Sequence, residues 1–249
     1  MGRRASLVAA MKRLNRIMKQ DNSRGNQWRY YNNRRSKPTF EETRKAGLFI
    51  TNCMGGISFA CKEAGIPASA LQWYGGKDRI VWLNDDAKAD AKKHFYFFRI
   101  KRSVRECVKK GILQPGDIVT YMSMAHTNAY YGNGKSYDAG HAYCDGSGEG
   151  APYYKWIGPT PYKGYKVAYI VRVKGDYTYR VQVGAYSNST NADRRVAEIA
   201  QKSGLDCFVE QTDMFRVYCG AFEHFQNAID RLDDLCNSGI DDALITMLE

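Results

Sequence analysis

The sequence predicts an α+β protein with a larger mixed unit followed by a small duplicated C-terminal unit. Three observations predict it. Residues 179–186 recur as 215–222 at a shift of 36, and Asn191-Ala192 recurs as Asn227-Ala228 at the same shift. Short alternating runs flank Gly132-Asn133-Gly134, a strong hairpin signal. Helix-period apolar positions at Leu7, Met11, Leu14 and Met18, and at Ile57, Ala60, Cys61 and Ala64, precede that hairpin. With 249 residues, the chain can bury one large core or two smaller ones.

Leu7, Met11, Leu14 and Met18 predict a basic amphipathic helix over about 6–19 whose apolar stripe lies on the domain. Residues 22–37 read as a polar, ordered loop. Ile57, Ala60, Cys61 and Ala64 predict a helix beginning at or just after Cys53, ended by Gly65 and Pro67. A further helix is expected over 103–110. The turn at Leu113 to Asp117 then leads into a strand, and strands over 126–131 and 135–138 form the hairpin. Each C-terminal repeat reads as strand, helix (192–202 and 225–237) and short strand. Two such units make an antiparallel sheet with helices on one face. Fewer than three repeats exclude a solenoid.

The composition, 44% hydrophobic and 25% charged, excludes a disordered chain. No apolar run is long enough to span a bilayer, so no membrane segment is expected. The net charge of +11 is uneven. Residues 1–50 carry 13 Lys/Arg against 3 Asp/Glu, residues 51–176 carry 18 against 11, and residues 177–249 carry 6 against 12. A basic face of this kind suits either solubility or an anionic partner. Trp28 to Lys37 interleaves aromatics with cations, as single-strand binders do, but no nucleic-acid module accompanies it. No nucleic-acid partner is expected. The seven cysteines are odd in number and lack CxxC spacing, which predicts mostly buried free thiols in a reducing compartment. Inert thiols are expected at Cys61, Cys107, Cys207, Cys219 and Cys236.

One constellation has the makings of thiol chemistry. A nucleophilic cysteine needs a stabilised thiolate, a histidine to take its proton, and a group that orients the histidine. Cys53 stands at a helix start, where the macrodipole favours thiolate and backbone N–H groups can hold an oxyanion. Of the four histidines, His126 and His141 flank the hairpin and are the candidate bases. A two-residue loop would face His126 with His141. A three-residue loop would put Asp138 opposite Asn128, on the same face as His126. The residues leave both registers open. His126, Asp138, His141 and Cys144 can also be drawn as zinc ligands, but the spacing is atypical and no metal is expected.

Asn52-Cys53-Met54-Gly55-Gly56 and the helix that follows resemble the nucleophile helix of NlpC-type papain-like cell-wall hydrolases. Leu113 to Val119 resembles their next strand entry, and His126 to Asp138 resembles their catalytic hairpin. The likeness covers about 45–172. It implies Cys53 as nucleophile, His126 as base and Asp138 as the orienting residue, which selects the three-residue loop. It also implies cleavage of amide bonds in peptidoglycan, by an endopeptidase or an N-acetylmuramoyl-L-alanine amidase. Many members have Asp and Ser beside the cysteine to recognise a free stem-peptide amine. Asn52 and Met54 stand there in this chain, which favours an intact, cross-linked or amidase-type substrate.

Residues 177–249 resemble a SPOR domain, with Val181 to Tyr186 matching its signature. That likeness implies a βαββαβ fold that binds peptidoglycan glycan strands on the open side of its sheet. Alternation puts Arg180 and Gln182 on one face of their strand, and likewise Met214, Arg216 and Tyr218 on theirs. Gln182 and Arg216 fall on family ligand positions.

The expected organisation is therefore a basic N-terminal segment (1–44) packed on a catalytic domain (45–174), with a SPOR domain (177–249). The expected protein is a monomeric, cofactor-independent, endolysin-like peptidoglycan hydrolase, with His141 and Trp73 lining its cleft. No secretory signal is read in the short apolar run after Arg4, so cytoplasmic synthesis and action on the wall after release are expected. The alternatives are a bacterial autolysin and a non-catalytic wall-binding protein.

Overall fold

The computed structural model describes residues 2–26, 29–30, 39–48, 50–122, 125–137 and 165–248. The aromatic–cation stretch between Trp28 and Lys37 lies almost wholly outside them. So do Asp138, His141, Cys144 and the glycine-rich stretch 146–150. The chain divides into two compact units, Met1–Arg105 with Gln114–Gly175, and Glu106–Leu113 with Asp176–Glu249.

In the first unit, helix α1 (Arg3–Ser23) extends the expected helix at both ends. Leu7, Met11, Leu14 and Met18 are all fully buried, as their spacing requires. A two-residue strand, β1 (Arg29–Tyr30), pairs in parallel with β2 (Ile50–Thr51). Between them α2 (Phe40–Lys45) starts with a capping box, Thr39 and Glu42 satisfying each other's backbone N–H. Arg44 on α2 forms a bidentate pair with the buried Asp21 on α1 at 2.7 and 2.8 Å. The next helix, α3 (Cys53–Glu63), packs against α1, and Arg13 pairs with Glu63 across that contact. Its end closes as expected, with the Ile66 N–H donating to the Cys61 carbonyl around Gly65.

A 3-10 turn (Ala68–Leu71) leads to the hairpin β3 (Trp73–Gly76) and β4 (Arg79–Trp82). Then come α4 (Asp85–His94), β5 (Phe95–Arg99), α5 (Val104–Lys109), which from Glu106 on is counted with the second unit, and β6 (Ile118–Tyr121), β7 (Thr127–Gly132), β8 (Lys135–Tyr137) and β9 (Val167–Val173). Strands β5, β9, β6, β7 and β8 form one antiparallel sheet in that order. One core joins α1, α3, Trp73, Phe95 and the inward residues Ile118, Ala129, Tyr137, Val171 and Val173.

The hairpin resolves the register. Ala129 faces Tyr137 and Tyr130 faces Ser136, with an irregularity before Gly132 faces Lys135. The turn itself is the two-residue Asn133-Gly134, and the irregularity at Tyr131 shifts the strands beyond it into the register drawn for the three-residue loop.

Beneath the sheet lies a buried ion pair. Arg172 on β9 donates to both carboxylate oxygens of Asp117 at 2.7 and 2.6 Å, and both side chains are fully buried. Asp117 also accepts from the Gln114 N–H at 2.8 Å. The turn into β6 is thereby tied to the neighbouring strand β9.

The second unit contains β10 (Thr178–Tyr186), α6 (Ser189–Ser203), β11 (Phe208–Gln211), β12 (Phe215–Phe222), α7 (Phe225–Asn237) and β13 (Leu244–Leu248). Its antiparallel sheet has the order β11-β12-β10-β13. Along β10, Tyr179, Val181 and Val183 are buried while Arg180 and Gln182 are only half-buried. Both helices contact β10 and β12, so one face of the sheet is covered and the other is open. The repeated Gly-Ala-aromatic sequence has a steric cause. A Cβ on Gly184 would meet the Tyr186 ring at 2.6 Å, and one on Gly220 would meet the Phe222 ring at 2.5 Å.

The cysteine expectation needs correction. Cys207 and Cys219 form a disulfide rather than remaining inert thiols. They continue the β11–β12 register in which Phe208 faces Tyr218, so the bond joins directly opposed positions. An odd cysteine count and absent CxxC spacing cannot show such a pairing, because strand register creates it. Cys61 and Cys107 are buried free thiols as expected, whereas Cys236 is only half-buried.

Two stability outcomes follow. Arg172→Met strands the Asp117 carboxylate in the core and should cost about 3–5 kcal/mol. Asp117→Asn combined with Arg172→Met should recover part of that loss. Urea unfolding followed by tryptophan fluorescence reads this directly, since all four tryptophans precede residue 176. Replacing Cys207 and Cys219 together by Ser should cost the second unit about 2–3 kcal/mol, as expected for opening a short disulfide loop. Calorimetry with and without reductant checks that value.

Candidate functional site

The first candidate site belongs to the larger unit and centres on the start of α3. Asn52 is the N-cap, its side-chain oxygen accepting from the Gly55 N–H at 2.7 Å. Cys53 is the first helical residue, half-buried, with its thiol free of any disulfide. The N–H groups of Cys53 and Met54 lack intrahelical partners by the geometry of a helix start. Eight residues on, Cys61 faces the core, and burial pushes its thiol up to about 12. One helix thus carries two thiols with different surroundings: an inert one under α1 and one that faces open space.

That space is a cleft of about 560 Å³ lined by Asn52, Cys53, Met54, Leu71, Gln72, Trp73, Tyr74, Gly75, Leu83 and Ala125. Trp73 lines it, as expected. Ala125 brings the segment immediately before His126 to the same cleft. His126 itself is buried, and its ring stacks on Tyr121 with centroids 6.1 Å apart and planes 19° from parallel. The Tyr121 hydroxyl donates to the Asn128 side-chain oxygen at 2.8 Å. Asp138 and His141 lie outside the described residues. Among the described residues, no group of three or more His, Cys, Asp or Glu is arranged to hold a metal ion.

The sequence reading missed the β3–β4 hairpin that forms one wall of the cleft. Gly75 is its point of closest approach. The Gly75 N–H donates to Thr127 Oγ1 at 2.9 Å, and an added Cβ would meet the His126 carbonyl oxygen at 2.7 Å. A glycine here lets β3 lie directly against the segment bearing the candidate base. Nothing local marks it, because its neighbour lies 51 residues away in sequence.

The second candidate site is the open sheet face of the smaller unit. Arg180 lies over the Tyr218 ring at 5.1 Å and forms an ion pair with Glu210. Gln182 faces Tyr218 across the β10–β12 pairing. Arg216 faces Glu210 in register and pairs with Asp213, whose carboxyl is held down at about 2 by hydrogen bonds from Arg216 and Thr212. The structure therefore gathers Arg180, Gln182 and Tyr218, with Arg216 on the flank. The sequence reading missed Phe208 and Glu210 on the edge strand. Phe208 is 41% exposed, with its ring 5.6 Å from that of Tyr218. The pairing of β11 with β12 places both residues beside this group.

No helix among the described residues is long and apolar enough to cross a membrane. No curated protein matches the chain. A solved structure, the solution structure of the peptidoglycan binding domain of the B. subtilis cell wall lytic enzyme CwlC, is 31% identical. The match covers 30% of this chain and 95% of that one, with a TM-score of 0.27. The family model of the SPOR domain matches residues 175–246, and a second, overlapping match covers 161–211. The βαββαβ unit that closes this chain is a SPOR domain.

Proposed function

We propose that this chain is a peptidoglycan hydrolase whose SPOR domain holds it on the wall while a thiol site cleaves an amide bond. The observation that carries the reading is Cys53. It is the first residue of a helix, and it opens into a cleft shared with the segment that leads into His126. The neighbouring SPOR domain supports a wall substrate.

In this reading His126 takes the proton of the Cys53 thiol, and the sulfur attacks the amide carbonyl. The carbonyl oxygen becomes an oxyanion facing the N–H groups at the helix start. The C–N bond then breaks, His126 returns the proton to the leaving amine, and a thioester remains on Cys53. Water, deprotonated by His126, adds to that thioester and releases a carboxylic acid and the free thiol. Asp138, which lies outside the described residues, is assigned the role of orienting His126. No cofactor enters the cycle.

On the SPOR domain, the cation and aromatic pair Arg180–Tyr218, with Gln182 and Arg216, forms the glycan-binding face. Holding the two functions in one chain raises the local concentration of wall bonds at the cleft. The rival reading is a non-catalytic wall-binding protein with a decayed site, motivated by Asn52 and Met54 beside the cysteine.

The deciding experiment is digestion of purified sacculi by the wild type and by Cys53→Ala, with products identified by mass spectrometry. Soluble fragments from the wild type alone are expected, and their masses distinguish endopeptidase from amidase. No fragments from either protein would establish the binding-only reading. His126→Ala should lower release by at least about 100-fold while sacculus pull-down is unchanged. Conversely, Arg180→Ala with Tyr218→Ala should weaken pull-down about tenfold or more, which checks the second site independently of cleavage.

A further inference from the structure

The edge strand of the SPOR domain has weaker anchorage than its neighbours. Strand β11 pairs on one side, with β12. None of its four residues is buried. Burial therefore does little to keep it in place. The Cys207–Cys219 bond at its leading end supplies a covalent anchor. Val217 and Cys219 flank Tyr218 and are both fully buried, so the bond lies on the sheet face that the helices cover. Phe208 and Glu210 lie on the opposite face, Phe208 beside the Tyr218 ring and Glu210 paired with Arg180. The bond thus sits behind the open face without obstructing it.

Cys53, Cys61, Cys107 and Cys236 are free thiols, so a reductant meets one disulfide among the described residues. Cys207 is half-buried while Cys219 is fully buried, which makes Cys207 the accessible sulfur. A thiolate attacks Cys207, and the Cys219 sulfur leaves and takes a proton. A second thiol then releases Cys207 as a thiol, and the reductant departs as its own disulfide, having given two electrons. A small disulfide oxidant reverses both steps. With the bond open, β11 keeps one-sided pairing, a half-exposed ring contact and a partly exposed ion pair, each weak in water. We infer that the Cys207–Cys219 bond is a redox gate on wall binding. When closed, it holds Phe208 and Glu210 beside Arg180 and Tyr218. When open, it frees the edge strand, and a glycan must order that strand at a cost in affinity. The inference rests on the open face being the glycan-binding surface and is independent of chemistry at Cys53.

The test uses the full chain carrying Cys53→Ala, so that sacculi stay intact during the measurement. Binding to purified sacculi is titrated before and after dithiothreitol, with the opened bond confirmed by thiol counting. Reduction should weaken binding at least about tenfold, and oxidised glutathione should restore it. Cys207→Ser with Cys219→Ser should bind like the reduced protein and respond to neither reagent. Phe208→Ala, which keeps the bond, should weaken binding of the oxidised protein and blunt its response to reductant. Hydrogen exchange should show β11 amides losing protection on reduction while those of β10 and β13 keep theirs. Unchanged affinity with the bond open overturns the inference and leaves the open face as the binding surface. Loss of protection across β10 and β13 as well overturns it too, because the bond is then a staple for the whole domain. An oxidised protein that does not bind sacculi overturns the reading of the open face and the inference together.

Discussion

The first unit depends on how one helix is held. Helix α3 lies between α1 and the sheet, with Ile57, Phe59, Ala60 and Cys61 all buried. On the sheet side, the Tyr137 hydroxyl donates to the Gly56 carbonyl at 3.3 Å. On the other side, the fully buried stripe of α1 covers it. A helix packed on both sides cannot slide or rotate without opening the core, because interiors are close-packed. Cys53 inherits that rigidity at the one end where the helix meets the cleft. The basic helix α1 is therefore part of the core of this unit.

The sheet is held in the same manner by polar means. The Asp117–Arg172 pair is costly to desolvate, and its stability contribution over an apolar pair is small. Its geometry is specific, however. Two hydrogen bonds from the guanidinium and one from the Gln114 N–H leave the turn before β6 with one placement. Strand β6 carries Tyr121, on which His126 stacks. The buried pair thus fixes the turn into the strand on which the candidate base stacks.

The SPOR domain solves a different problem with duplicated parts. Each repeat supplies a long strand, a helix and a short strand, and each helix buries its apolar stripe on the same pair of central strands. The open face is left to Arg180 and Gln182, with the buried Tyr218 ring beneath Arg180 and Phe208 beside it on the edge strand. The Cys207–Cys219 bond ties that edge strand to its neighbour, fixing the strand that carries Phe208 and Glu210. In the proposed function this face anchors the chain and the cleft performs the chemistry.

By itself the sequence determined what is written in periodicity and local chemistry. The apolar stripe of α1, the start and end of α3 around Cys53 and Gly65, the repeat of the SPOR domain and the faces of β10 were all legible. Each depends on side chains only a few residues apart, or on a recurrence visible in one dimension. Tertiary structure decided what depends on contacts between distant segments. The hairpin register stayed open until Ala129 was seen opposite Tyr137. The Cys207–Cys219 bond needed the β11–β12 pairing. The cleft wall of Trp73, Tyr74, Gly75 and Leu83 needed β3 to be placed against the segment at His126 and Thr127. Contacts of that kind are set by how elements pack, and no local pattern encodes which surfaces will meet.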